Sequence, residues 1–259
     1  MIQSTTSDKS HQKNQSLFIR ANDAMIYCKI SGSEDSPAMI LLHGNGEDLH
    51  VFNAQIRYFS QYYKIIAMDT RAHGLSSRGI APLNFYTFAV DLLAILDRLK
   101  IEKAPIVGFS DGAITALHAA LIAPERISSL VLLGVNCNPQ GIRWIPRFQI
   151  LLNYAWLSVA SLFSEEMRQR KEIWGLMVHQ PKLTIEEISR INIPTLVVTG
   201  EKDMVSQRQN DEISRAIAGS KRLIILRGDH FWLFEEPELL NQIVEDFLER
   251  DEVRFNPRP

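Results

Sequence analysis

Ser110, Asp203 and His230 are the residue types that together can open an acyl bond. A serine hydroxyl is a weak nucleophile, so it needs a base to take its proton and an acid to hold that base in the right tautomer. Ser110 stands in Gly108-Phe109-Ser110-Asp111-Gly112. The apolar run Lys103 to Phe109 precedes it, and Ile114, Leu117, His118, Leu121 and Ile122 follow at helical spacing. A serine on a sharp strand-to-helix turn is held in a strained backbone conformation that lifts its hydroxyl clear of its neighbours. Glycine two residues to either side lets the chain reverse without a Cβ collision. Asp203 lies just beyond the apolar run Leu196 to Gly200, and His230 just beyond Leu223 to Leu226. Both therefore sit in loops after predicted strands, while the loop Asn136-Cys137-Asn138-Pro139 holds no carboxylate that could replace Asp203.

The elements that must carry these residues follow from the hydrophobic pattern. Ser16 to Arg20 and Ala24 to Ser31, split by Asn22-Asp23, predict a hairpin. Pro37 to Leu42, Lys64 to Met68, Lys103 to Phe109, Ile127 to Val135, Pro194 to Gly200 and Lys221 to Leu226 are apolar runs of strand length. Helical periodicity falls between them at Val51 to Tyr62, Asn84 to Leu99, Gln209 to Ala218 and Glu238 to Arg250. Alternation of this kind predicts an α/β fold, a mostly parallel doubly wound sheet with helices on both faces. Residues 138–190 break the rhythm with two helical patterns, so they form a helical insertion. The expected organisation is a flexible tail over 1–15, a core over 16–137 and 191–259, and the insertion as a small cap.

Composition narrows the function. With 259 residues, 46% of them hydrophobic, the chain can bury one sizeable core, and its net charge of −2 provides no basic stripe for nucleic acid. Cys28 and Cys137 lie far apart and outside any metal-ligand spacing, so neither a metal nor a disulfide framework is expected, and no cofactor is. A reduced, cytoplasmic setting fits such cysteine usage. The first 15 residues lack an apolar signal core, and the segment Phe148 to Phe163 is too short to span a bilayer, although it could lie on a membrane surface.

Five motifs, HGNG at 43–46, DTRAHGLS at 69–76, GFSDG at 108–112, TGEKD at 199–203 and GDH at 228–230, occur in the order that resembles the α/β-hydrolase superfamily in its compact form with a helical cap. The resemblance runs from Ser16 to near the end of the chain. Family members often carry glycine where Ala72 stands. In that fold the order is nucleophile, then acid, then base, which implies Ser110, Asp203 and His230 as a catalytic triad. It also implies an oxyanion hole made by the backbone N–H groups of Asn45 and Asp111, and loop-shaping roles for His43 and His73. Serine at the elbow, where dehalogenases and epoxide hydrolases of this fold carry aspartate, points to an acyl-enzyme. The expected activity is a carboxylesterase-like serine hydrolase acting on a small to medium acyl substrate. Carbon-carbon bond hydrolases, lactonases, thioesterases and perhydrolases share this triad, and a slow-turnover receptor-like binding module is an alternative of another class.

Trp144, Phe148, Trp156 and Trp174 of the insertion are the candidate wall of an apolar substrate pocket. Asp111 has two readings. Its carboxylate either stabilises its own helix N-terminus, or faces the pocket near Glu47 or Asp48 and pairs with a cationic amine on the substrate.

Overall fold

In the computed structural model, which describes residues 13–255, one eight-stranded sheet runs in the order β1-β2-β4-β3-β5-β6-β7-β8. The strands are β1 (Lys13–Ala21), β2 (Ala24–Gly32), β3 (Ala38–Leu42), β4 (Lys64–Met68), β5 (Ala104–Phe109), β6 (Ile127–Leu133), β7 (Thr195–Gly200) and β8 (Lys221–Ile225). The helices are α1 (Asn53–Phe59), α2 (Phe85–Arg98), α3 (Asp111–Ile122), α4 (Trp144–Ala160), α5 (Glu165–His179), α6 (Ile185–Ile188), α7 (Gln207–Ala216), α8 (Trp232–Glu235) and α9 (Pro237–Phe255). β1 and β2 are antiparallel to their neighbours, and every pair from β4/β3 to β7/β8 is parallel.

Two strand faces make two cores. Alternate residues of β3 divide between them: Ile40 and Leu42 pack with α2 and α3, while Met39 and Leu41 pack with Phe52, Phe59 and the α9 residues Leu240 and Val244. Burial on both faces explains why the central strands are continuously apolar rather than alternating. Helix starts follow local chemistry. Asn84 caps α2 by accepting from Thr87 N at 2.8 Å, and Pro237 opens α9 at the position where a missing N–H costs nothing.

Two expectations shift at the ends. Lys13, Asn14 and Gln15 belong to β1 rather than to a tail, because their backbones pair with Gly32, Ser31 and Ile30; the rest of the expected tail, 1–12, lies outside the described residues. The short α8 has no counterpart in the sequence pattern. Four residues with the turn-like start Phe231 are too few to show a period.

Between β6 and β7 the chain leaves the sheet to form α4, α5 and α6. Several bonds tie this insertion over the carboxyl ends of the strands. Ile142 bridges Val205, Arg143 N donates to Met204 O at 2.8 Å, and Gln169 Nε2 donates to Ala72 O at 2.8 Å. No helix among the described residues is long and apolar enough to cross a membrane.

Candidate active site

The turn from β5 to α3 places Ser110 at φ 50°, ψ −113°, left-handed backbone that a residue with a Cβ seldom adopts. The glycines around it are sterically required. A Cβ on Gly108 would lie 2.6 Å from the Gly112 backbone, and one on Gly112 would lie 2.1 Å from Leu42 O. The strained turn exists because β3, β5 and α3 approach one another backbone to backbone.

His230 Nε2 lies 3.1 Å from Ser110 Oγ, and His230 Nδ1 lies 2.7 Å from Asp203 Oδ1. Asp203 is itself fixed, since Val205 N donates to Oδ1 at 2.8 Å and Thr199 Oγ1 donates to Oδ2 at 3.2 Å. With Asp203 accepting from Nδ1–H, Nε2 of a neutral imidazole is left free to accept the serine proton. Asp203 and His230 are almost completely buried. The ring of His230 packs on Phe109 and Phe231, with centroids 5.0 and 5.2 Å away, which helps to hold its orientation.

Asn45 and Asp111 meet in front of Ser110. Asn45 Nδ2 donates to Asp111 Oδ2 at 2.8 Å and to Ile173 O of α5 at 2.9 Å. Neither residue's backbone N–H finds a protein acceptor among the described residues. Both line a cavity of about 70 Å³ together with Ser110, His230, Glu47, Ile114 and Met177. The Asp111 carboxyl thus pairs with Asn45. Burial pushes it up to about 6, with the Asn45 hydrogen bond opposing. Burial likewise pushes Glu47 up to about 7, although its Oε2 accepts from Gly44 N at 2.9 Å. Two carboxyls that ionise reluctantly therefore stand beside the serine.

His43 and His73 lie under this loop layer. His43 donates through Nδ1 to Gly44 O at 2.7 Å and accepts from Thr70 N at 3.0 Å, and burial lowers it to about 4, so it is neutral. Burial lowers His73 to about 3. The loop after β4 turns at Ala72, whose φ of 66° is the conformation that glycine would adopt without strain. Arg71 anchors it from inside, fully buried between Asp91 at 2.7 Å and Asp23 at 2.9 Å.

The structure separates the four residues expected to form the pocket wall. Trp144 and Trp174 line a groove of about 610 Å³ that shares Asn45, Met177, Met204, His230 and Phe231 with the smaller cavity. Trp174 is oriented by its Nε1–H donating to Ile150 O at 3.0 Å. Phe148 and Trp156 do not belong to the wall: they point outward, 57% and 63% exposed, because α4 turns Ile150 and Leu157 inward instead. The cavity takes its apolar lining from Ile142, Met204 and Val205, residues with no periodic signal in the sequence. The Ile142–Val205 bridge and the hydrogen bond from Arg143 N to Met204 O bring them together.

Known proteins share this arrangement of elements. Residues 37–168, just over half of the chain, match the family described as the alpha/beta hydrolase fold. 3-Oxoadipate enol-lactonase 2 of Acinetobacter baylyi is 25% identical over 90% of this chain and 96% of its own length. Serine hydrolase BPHL of Homo sapiens is 27% identical over 90% and 86%. Among solved structures, the enol-lactonase from Burkholderia xenovorans superposes with a TM-score of 0.75 at 22% identity, covering 90% of this chain and 100% of that one. Carboxylesterase CesB from Bacillus subtilis does so with 0.75 at 21% identity, covering 92% and 93%. The chain belongs to the alpha/beta hydrolase family and is an enzyme, a hydrolase.

Proposed function

We propose that the chain is a serine hydrolase that cleaves a carboxylic ester or related acyl bond through an acyl-enzyme. The observation that carries this is the continuous relay of 3.1 Å from Ser110 to His230 and 2.7 Å from His230 to Asp203. His230 takes the proton of Ser110 as Oγ attacks the acyl carbon, and Asp203 stabilises the imidazolium. The unengaged N–H groups of Asn45 and Asp111 receive the oxyanion, the second from the N-terminus of α3 where free amides already favour negative charge. His230 then protonates the leaving group, and water, deprotonated by the same imidazole, releases the acid. No metal or cofactor enters this scheme.

Cavity size supports a division of the substrate. The space of about 70 Å³ behind Ser110 holds a short acyl group, and the larger groove takes the leaving group. The insertion 138–190 acts as the cap that roofs both. The burial of both Cys28 and Cys137 as free thiols is compatible with the cytoplasmic setting. A substrate ammonium beside Asp111 and Glu47 would offset the burial that holds both carboxyls up, which favours a cationic substrate over its neutral analogue.

The test is hydrolysis of p-nitrophenyl esters of increasing acyl length, run beside a lactone and a dienone-diacid, with fluorophosphonate labelling of Ser110. Short-chain esters as the best substrates are the expected result. Preference for the lactone would move the reading to the activity named in the enol-lactonase relatives, and labelling that survives Ser110→Ala would overturn it. A valine ester and its des-amino analogue test the cation preference, which equal kcat/KM values would remove.

A further inference from the structure

The N–H of Asn45 lies in the same peptide plane as Gly44 O. In a trans peptide the two point opposite ways, so whatever holds Gly44 O sets the direction of the Asn45 N–H. Gly44 O accepts from His43 Nδ1 at 2.7 Å and from Glu47 N at 3.4 Å. His43 is buried and held in turn by Thr70 N, so the Asn45 N–H points out of the buried layer, away from the imidazole.

The residue before that peptide is its loose end. Gly44 has to be glycine, because a Cβ would lie 3.1 Å from the Phe109 ring and 2.9 Å from Glu47 Oε2. Glycine restrains its own ψ least, and ψ of Gly44 is the torsion that swings the Asn45 N–H. On the far side Gly46 stands at φ 72° with nothing within 4 Å of a Cβ position, so packing gives no hold there either. Glu47 supplies the restraint. Gly44 N donates to its Oε2 at 2.9 Å, which closes a ring over Asn45 and Gly46 and leaves both polar groups of Gly44 gripped by one residue. Gly44 N is the one hydrogen-bond partner of this carboxyl among the described residues. The carboxyl otherwise stands at a cost: it lines the cavity with Ser110 and His230, burial pushes it up to about 7, and its charge opposes an oxyanion. We infer that Glu47 is a positioning residue, whose carboxylate locks Gly44 so that the Asn45 N–H is aimed at the oxyanion. That aim rests on the serine-hydrolase reading; the lock on the loop does not.

Glu47→Ala and Glu47→Gln separate the lock from the charge, since glutamine keeps an oxygen for Gly44 N. Both remove a charge that burial disfavours, so both should fold. On a short-chain p-nitrophenyl ester Glu47→Ala should lose about thirtyfold in kcat/KM, less than the roughly hundredfold or more of an oxyanion donor removed outright. A boronate that adds to Ser110 should bind more weakly by a similar factor, because its tetrahedral adduct puts an oxygen where the oxyanion forms. Glu47→Gln should stay within about threefold of wild type on both. In NMR relaxation of the full chain, the order parameter of the Asn45 N–H should fall from about 0.85 to below about 0.6 in Glu47→Ala and hold in Glu47→Gln. An alanine variant with wild-type kcat/KM and boronate affinity, an unmoved Asn45 order parameter, or a glutamine variant as impaired as the alanine one overturns the inference. Because relaxation is read without any substrate, a loop loosened by Glu47→Ala in a protein that hydrolyses no ester would fault the serine-hydrolase reading and leave the lock standing.

Discussion

Helix α3 buries nine of its 12 residues, whereas helix α4 buries two of 17. Both are rich in apolar side chains, yet they differ in kind. α3 uses Gly112, Ala113, Ala116, Ala119 and Ala120, small enough to let its backbone approach the sheet. α4 uses Trp, Phe and Leu, and directs most of them away from the protein. Apolar content measures how much a helix could bury; side-chain size and available partners decide how much it does bury. The turn before α3 shows the same contrast, since its glycines are fixed by neighbours that α4 lacks.

The largest effect should come at the start of α3. Ser110→Ala and His230→Ala should each lower kcat by roughly four orders of magnitude or more, and the double variant should be little worse, because the proposed mechanism joins the two in one proton transfer. Steady-state kinetics checks this. Losses that multiply would mean the two residues act independently. Gly112→Ala probes the packing instead. Its Cβ would fall 2.1 Å from Leu42 O, so the protein should lose about 4 kcal/mol or fail to fold, as judged by urea unfolding.

A smaller effect is expected from the buried carboxyls. Asp111 ionises at about 6 and Glu47 at about 7 in the folded protein, above the unfolded values of 3.8 and 4.5. As pH rises from about 4 to 7 the unfolded chain releases these protons first, so stability falls across that window and levels off above it. Asp111→Asn and Glu47→Gln should each remove about 3 kcal/mol of that penalty at pH 8 and change little at pH 4, as read from unfolding midpoints. Equal gains at both pH values would mean the carboxyls are not the cause.

On the α4 side, Phe148→Ala and Trp156→Ala should change stability by less than about 0.5 kcal/mol and leave hydrolysis of soluble esters unchanged. A loss like that of a core residue would erase the contrast between the helices.

Much of this was legible in the sequence because the informative residues are local. The glycines at 108 and 112, the apolar strands and the post-strand positions of Asp203 and His230 each carry their own signal within a few residues. The orientation of α4 does not. Its pattern fixes which residues share a side, but Ile150 and Leu157 face inward only because of what lies beneath them, so the same periodicity placed Phe148 and Trp156 on the wrong side. The true cavity wall draws on Ile142, Met177 and Val205, from three separate segments joined by a bridge and a helix contact. No window of sequence contains that meeting.

The Asn45 amide has a consequence for timing. It holds Asp111 at the head of α3 and the Ile173 carbonyl of α5 with the same nitrogen, at 2.8 and 2.9 Å. Lifting α5 by little more than the length of a hydrogen bond would release that nitrogen on one side and unclamp the loop whose N–H is proposed to meet the oxyanion. Entry of substrate and readiness of the site would then be mutually exclusive states joined at one side chain, so the enzyme would wait for closure before it reacts. Asn45→Ala, which keeps the backbone N–H, should raise amide hydrogen exchange in α5 and lower kcat together; a change in one without the other would separate the two events.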